Sequence, residues 1–320
     1  MEQETTPIKI SSSSNSKRQF KLPKFGSGFD NPVILKELKG RMRDRRTFVL
    51  LTIYLMFIGL FVCAIYYFIA ESLNTGATLT PDYRQNMGKA IFGTVVIIEL
   101  LLVSFIGPGL TAGAITSERE HQTLDLLKTT LLTTRELVMG KLGAAVIYLI
   151  LLIFTVLPFQ SMAFILGGVG LAEVLISSLM LVVTAVFFSA LGVFFSSIFK
   201  RTLAATVSSY GSILLSIFAI ILFLFLVAVI ETATYNATST ATNLSTIALW
   251  IVVATNPILA AIFSETILID QQSIFWASST YFGNSSIGVP SPWIIFVITY
   301  TLTSILMITI SIYLVKRPER

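Results

Sequence analysis

Residues 114–141 read AITSEREHQTLDLLKTTLLTTRELVMGK. They include Glu118, Arg119, Glu120, His121, Asp125, Lys128, Arg135, Glu136 and Lys141. The chain is apolar on both sides, with IFGTVVIIELLLVSFIGPGL at 91–110 and LGAAVIYLILLIFTVL at 142–157. A charged side chain at the centre of a bilayer costs roughly 3 kcal/mol on insertion scales. Several charges therefore cannot share the greasy environment of their flanks. The stretch must lie outside the bilayer, joining two membrane helices.

Its local grammar predicts how the link is built. Ser117-x-x-Glu120 matches a capping box, which places a new helix where the preceding span leaves the membrane. Leu124, Leu127 and Leu131 follow at i, i+3 and i+7, an apolar stripe. Thr129-Thr130 weakens the helix, and Thr133-x-x-Glu136 is a second capping box that opens the next span. A leucine stripe of one or two turns is not stable alone in water. It packs either on the bundle's own end or on a soluble partner, and the residues themselves leave both open.

Composition extends this reading to the whole chain. Of 320 residues, 54% are apolar and 12% charged, against about a quarter charged in soluble domains. The fold class is an all-α integral membrane protein. A helix needs about 20 apolar residues to cross a bilayer core, and six stretches qualify, at about 47–70, 90–115, 138–165, 173–198, 204–230 and 293–315. With the N-terminus in the cytoplasm, twenty of the 22 Lys and Arg fall on the inner side, and only Arg84 and Lys89 fall outside. Such a bias sets orientation and places both termini inside.

A seventh stretch, LSTIALWIVVATNPILAAIF at 244–263, is long enough to cross. A full crossing would put the terminal KRPER outside, against the charge bias. Asn256-Pro257 also interrupts it, because proline lacks a backbone donor and restricts the residue before it. The expectation is two short re-entrant or interfacial helices within an outer segment, 231–292. Cys63, the one cysteine, excludes an internal disulfide and is expected to pack as a small hydrophobe.

Before the first span, residues 1–30 are Ser-, Lys- and Gly-rich and read as a disordered basic cytoplasmic tail. NPVILKELKGRMRDRRTF at 31–48 follows. Asn31 suits an N-cap and Pro32 the first helical position. Ile34, Leu38 and Met42 recur every four residues with Leu35 beside them, among Lys36, Lys39, Arg41, Arg43, Arg45 and Arg46. Residues 31–46 are therefore expected to form a basic amphipathic elbow helix on the inner membrane surface, ahead of a transmembrane domain at 47–320.

These two pieces together resemble the permease subunits of ABC-2-type, or type V, ABC exporters. The family carries an Asn-Pro-x-x-x-Lys-Glu elbow, matched here by Asn31, Pro32, Lys36 and Glu37. It also carries a Ser-Glu-Arg-Glu-x-x-Thr-Leu-(Asp/Glu)-Leu-Leu motif, matched by Ser117 to Glu120 and Thr123 to Leu127. Thr129-Thr130 and Gly140-Lys141 continue the match, with Leu131 where the family commonly has proline. The resemblance implies a membrane-spanning permease in the inner or plasma membrane, as in prokaryotes, driven by a separate cytoplasmic ABC ATPase subunit. It implies a second permease copy or a paralogue as partner. It also implies that the charged link is a coupling element, with Glu118, Arg119 and Glu120 as its polar contacts and Leu124, Leu127 and Leu131 as its apolar anchor. ATP and magnesium would be bound by the partner. No cofactor, metal or nucleic acid is expected for this chain.

The remaining residues fit that picture. No G-x-x-x-x-G-K-[ST] loop is present, since Gly140-Lys141-Leu142 lacks both the upstream glycine and the hydroxyl. Glu99, in VVIIELLLV, is a mid-span carboxylate that either lines a pathway or is hydrogen-bonded within the bundle. Gly107-Pro108-Gly109 reads as a hinge or a static kink. An intramembrane enzyme would need a nucleophile motif, paired acids or a metal cluster, and the single His121 is poor material for one. The alternative in a different class is a sensor or scaffold that keeps the permease fold without transport.

Overall fold

The computed structural model describes residues 32–43, 45–74, 81–123, 133–234, 247, 250–271, 274–278 and 288–316. Helix α1 (Pro32–Arg43) precedes the long helices α2 (Arg45–Asn74) and α3 (Pro81–Thr111). The five-residue α4 (Thr116–Glu120) leads to α5 (Thr134–Ile165), α6 (Leu171–Ile198) and α7 (Thr202–Thr234). The shorter α8 (Pro257–Gln271) is followed by β1 (Trp276–Ser278), β2 (Gly288–Pro290) and α9 (Pro292–Lys316). Six helical stretches are long and apolar enough to cross a membrane: α2, α3 with α4, α5, α6, α7 and α9. They coincide with the six expected spans, and the chain is a multi-pass membrane protein.

Helix α6 sits at the centre, packed most extensively against α3 and α9. Small residues allow this. A Cβ on Gly107 of α3 would stand 3.3 Å from the Cβ of Phe188, and one on Gly192 of α6 would stand 3.1 Å from the Cα of Pro108 and overlap the Thr111 hydroxyl. Close backbone approach at small residues is how membrane helices gain packing without a hydrophobic drive. Ile58, Phe92, Leu100, Leu149, Leu181 and Phe296 are fully buried and form the core. Leu203, Val207, Leu215, Phe218 and Phe225 of α7 are exposed, the expected face toward lipid. Helices α3 and α5 run through Pro108 and Pro158 without ending.

The two ends differ. Ile115, Leu137, Val138, Leu142 and Val193 cluster with Val315, so the close of α9 lies beside the start of α5 at the charged end. At the other end Trp250, Ile267 and Val289 cluster.

The 244–263 stretch does not cross as one helix. Helical residues 250–255 stop at Asn256, and α8 begins at Pro257. Asn256 Oδ1 accepts the N–H groups of Ile258 and Leu259 at 3.0 and 3.2 Å. Its Nδ2 donates to the Ser216 carbonyl at 2.6 Å, which pins the break to the middle of α7. Asn and Pro thus serve as N-cap and first helical residue. Beyond α8, β1 and β2 pair antiparallel, Trp276 opposite Pro290. This pair of three-residue strands interrupts the all-α expectation locally and is too short to leave an alternating pattern in sequence.

Cys63 is exposed on α2 rather than packed in the core. It lines an apolar recess of about 400 Å³ with Val62, Tyr66, Met87, Met162 and Leu166. The tail at 1–30, Asn31, and the leucines at 124, 127 and 131 lie outside the described residues.

Candidate functional site

The short helix α4 is not capped as its sequence suggested. Ile115 occupies the N-cap position in a helical conformation and offers no side-chain bond, so Ser117 falls inside the helix. The Ser117/Glu120 box does not form. Instead Ser196 of α6 accepts the N–H groups of Ile115 and Thr116 on its Oγ, at 2.9 and 3.0 Å. The first N–H groups of any helix need a partner, and here a hydroxyl from another span supplies it. The Thr133/Glu136 box does form. Glu136 N donates to Thr133 Oγ1 at 3.2 Å, and Thr133 N donates to Glu136 Oε2 at 2.8 Å.

Freed from the box, Glu120 reaches the start of α7. Its Oε1 accepts from Thr202 N at 2.8 Å, and its Oε2 accepts from the Thr202 hydroxyl at 3.0 Å. Arg119 turns the other way. Its Nη1 donates to the Phe199 carbonyl at 2.7 Å and its Nη2 to the Ser197 carbonyl at 3.3 Å, at the end of α6. An anion at a helix N-terminus and a cation at a C-terminus both match the helix dipole. Glu118 takes a third direction. Its Oε1 accepts from Lys141 Nζ of α5 at 2.9 Å, and its Oε2 accepts from the Thr123 hydroxyl. Lys141 is 9% exposed and also lies 3.7 Å from Glu37 of α1. Three consecutive charged residues therefore tie one short segment to α5, α6 and α7, and through Lys141 to α1. Their polar contacts in the structure are with the chain's own elements.

The turn after α4 completes the segment. Gln122 adopts a φ of +56°, the left-handed region usually held by glycine. Gln122 N donates to the Arg119 carbonyl at 3.0 Å and Thr123 N to the Glu118 carbonyl at 2.9 Å. This is the paired pattern of a Schellman ending, with glutamine in the glycine position. His121 is exposed at the close of α4.

Helix α1 packs on α5. Val33 is buried, and a Cβ on Gly143 would stand 3.2 Å from Ile34 Cδ1. Leu35 and Met42 are 56% and 47% exposed, so the face turned to the bundle is Val33, Ile34, Glu37 and Leu38 rather than a stripe reaching Met42. Lys36 and Lys39 are exposed, and Pro32 opens the helix.

The other singled-out residues lie deeper. Glu99 is 0% exposed; Gln160 Nε2 donates to its Oε2 at 3.0 Å and Tyr54 Oη to its Oε1 at 3.5 Å. It thereby joins α2, α3 and α5 inside the bundle. Gly107 and Gly109 are close-approach positions: a Cβ on Gly109 would stand 2.8 Å from Tyr210 Oη. Ser196, Thr202 and Gln122 carry the geometry of the segment, and sequence reasoning did not single them out. Among the described residues, no three His, Cys, Asp or Glu side chains come together in a metal-binding arrangement.

Comparison with known families agrees with this architecture. The family model of the ABC-2 family transporter proteins matches residues 32–315. No curated protein matches the chain. The chain belongs to the ABC-2 family of transporter proteins, as a membrane permease of an ABC transporter and a transport rather than a catalytic component.

Proposed function

We propose that this ABC-2 permease is the membrane subunit of an exporter driven by a separate cytoplasmic ATPase, which works on α1 and on residues 116–131. One observation carries the reading. Glu118, Arg119 and Glu120 bind three different membrane helices from a single short segment. A displacement of that segment is shared by α5, α6 and α7 at once, and by α1 through Lys141 and Glu37. Such a segment suits a part that receives force outside the membrane and delivers it to the spans. The leucines at 124, 127 and 131 supply the apolar contact with the motor, while the three charges hold the segment to the bundle.

On this reading the charged end faces the cytoplasm with both termini, and ATP with magnesium binds the partner. The permease acts with a second copy or a paralogue in the inner or plasma membrane of a prokaryotic cell. Gly107, Pro108 and Gly109, next to the segment on α3, provide the bend that movement requires.

The test is to change Leu124→Asp and Leu127→Asp and to purify the chain in mild detergent with its ATPase. Loss of the ATPase from a permease that still elutes as a folded monomer or dimer is expected. An ATPase retained by both variants contradicts the docking assignment.

A further inference from the structure

At the end opposite the charged segment, α3, α6 and α8 enclose a cavity of about 10 Å³, the room of one water-sized sphere. Its wall includes Glu173, Ser177, Ser264 and Glu265, with Leu100 and Met180. Glu265 and Ser264 are 9% and 1% exposed, and Glu265 Oε1 and Ser264 Oγ have no hydrogen-bond partner. Ser177 donates to the Val174 carbonyl at 3.1 Å and keeps acceptor capacity on its oxygen. The other carboxylate oxygen of Glu265 rests on Gly93, where a Cβ would stand 3.0 Å away. Among the described residues, Lys89 of α3 lies one helical turn from Gly93 and makes no ion pair with Glu265. A buried carboxylate without hydrogen bonds or a countercharge is strongly disfavoured.

We propose that Glu265 and Ser264, with the oxygen of Ser177, form a binding site for a single small cation. The donors are all oxygen, which suits hard ions. One enclosed carboxylate matches one positive charge, and the cavity holds one ion without its water shell, so sodium is the assigned occupant. Bound there, the ion fastens the re-entrant helix α8 to α3 and α6. The inference is independent of the coupling role given to residues 116–131.

The test uses the full chain in detergent, with thermal unfolding followed as sodium replaces choline at constant ionic strength. Ligand that binds only the folded state raises the midpoint with concentration. The wild type is expected to gain several degrees in Tm, saturably, in sodium. Glu265→Gln is expected to lose that gain, and Gly93→Ala, which keeps every donor but crowds the carboxylate, to need several-fold more sodium. Sodium-23 relaxation on the folded Gly93→Ala protein provides a second reading should Glu265→Gln fail to fold. A wild-type midpoint equal in sodium and choline overturns the proposal. So does a Lys89→Gln variant whose loss of stability shows that Lys89 already neutralises Glu265, or a response confined to calcium.

Discussion

Lys141, buried at the base of α5, donates to Glu118 at 2.9 Å across 23 residues of chain. The contact closes the charged loop onto the span that follows it. Hydrogen bonds between charged partners contribute about 1.5–3 kcal/mol when desolvated. Lys141→Met and Glu118→Gln should each destabilise the bundle, and the double variant should cost less than the sum. A double-mutant cycle on thermal unfolding measures this. Strict additivity would show that the two side chains do not interact.

Ser196 gives a second, sharper expectation, because one oxygen serves two N–H groups. Leaving buried donors unmet costs about 1–3 kcal/mol. Ser196→Ala should lower the unfolding midpoint clearly. Ser197→Ala, which removes only a bond to the Phe194 carbonyl one turn back, should lower it little. Equal effects would contradict the capping role.

Gln122 offers a gain. Its left-handed backbone costs about 1–2 kcal/mol for a residue with a Cβ, and glycine is free of that penalty. Gln122→Gly should therefore raise the midpoint, and Gln122→Val should lower it. A fall with glycine would rule out this turn.

Glu99 is held by Gln160 and Tyr54 in the middle of the bundle. Glu99→Gln keeps hydrogen-bonding atoms at the same place and should be tolerated in folding. Glu99→Leu strands the amide and the phenol and should cost about 1–3 kcal/mol. The ratio of folded to aggregated protein on size exclusion distinguishes the two. Similar loss for both would mean that the carboxylate's charge, not its hydrogen bonds, matters there.

Most of the architecture was readable because the bilayer imposes it. Apolar runs of fixed length, with Lys and Arg concentrated at one side of the bilayer, leave little freedom in counting spans. Local motifs succeeded where their partners were local: Thr133 with Glu136, and Asn256 with Pro257. They failed where a distant residue competed. The Ser117–Glu120 spacing is that of a capping box, yet Ser196, about 80 positions away, takes the N–H groups and Thr202 takes Glu120. No periodicity announces such a partner. Gln122 gave no turn signal because the left-handed position normally announces itself as glycine or asparagine. Glu265 carries no signal in the sequence, since nothing in its neighbours reveals that α3 and α6 close over it.

The coupling role requires that a motor act on the segment at 116–131. The most direct measurement is cross-linking of the full chain in its native membrane, followed by mild extraction and mass spectrometry of linked peptides. The expected result is a soluble protein with a phosphate-binding loop, near one to one, linked to residues of α1 and to the 121–131 stretch. Recovery of the chain alone, or of an ATPase linked only near α8 and β2, would contradict it.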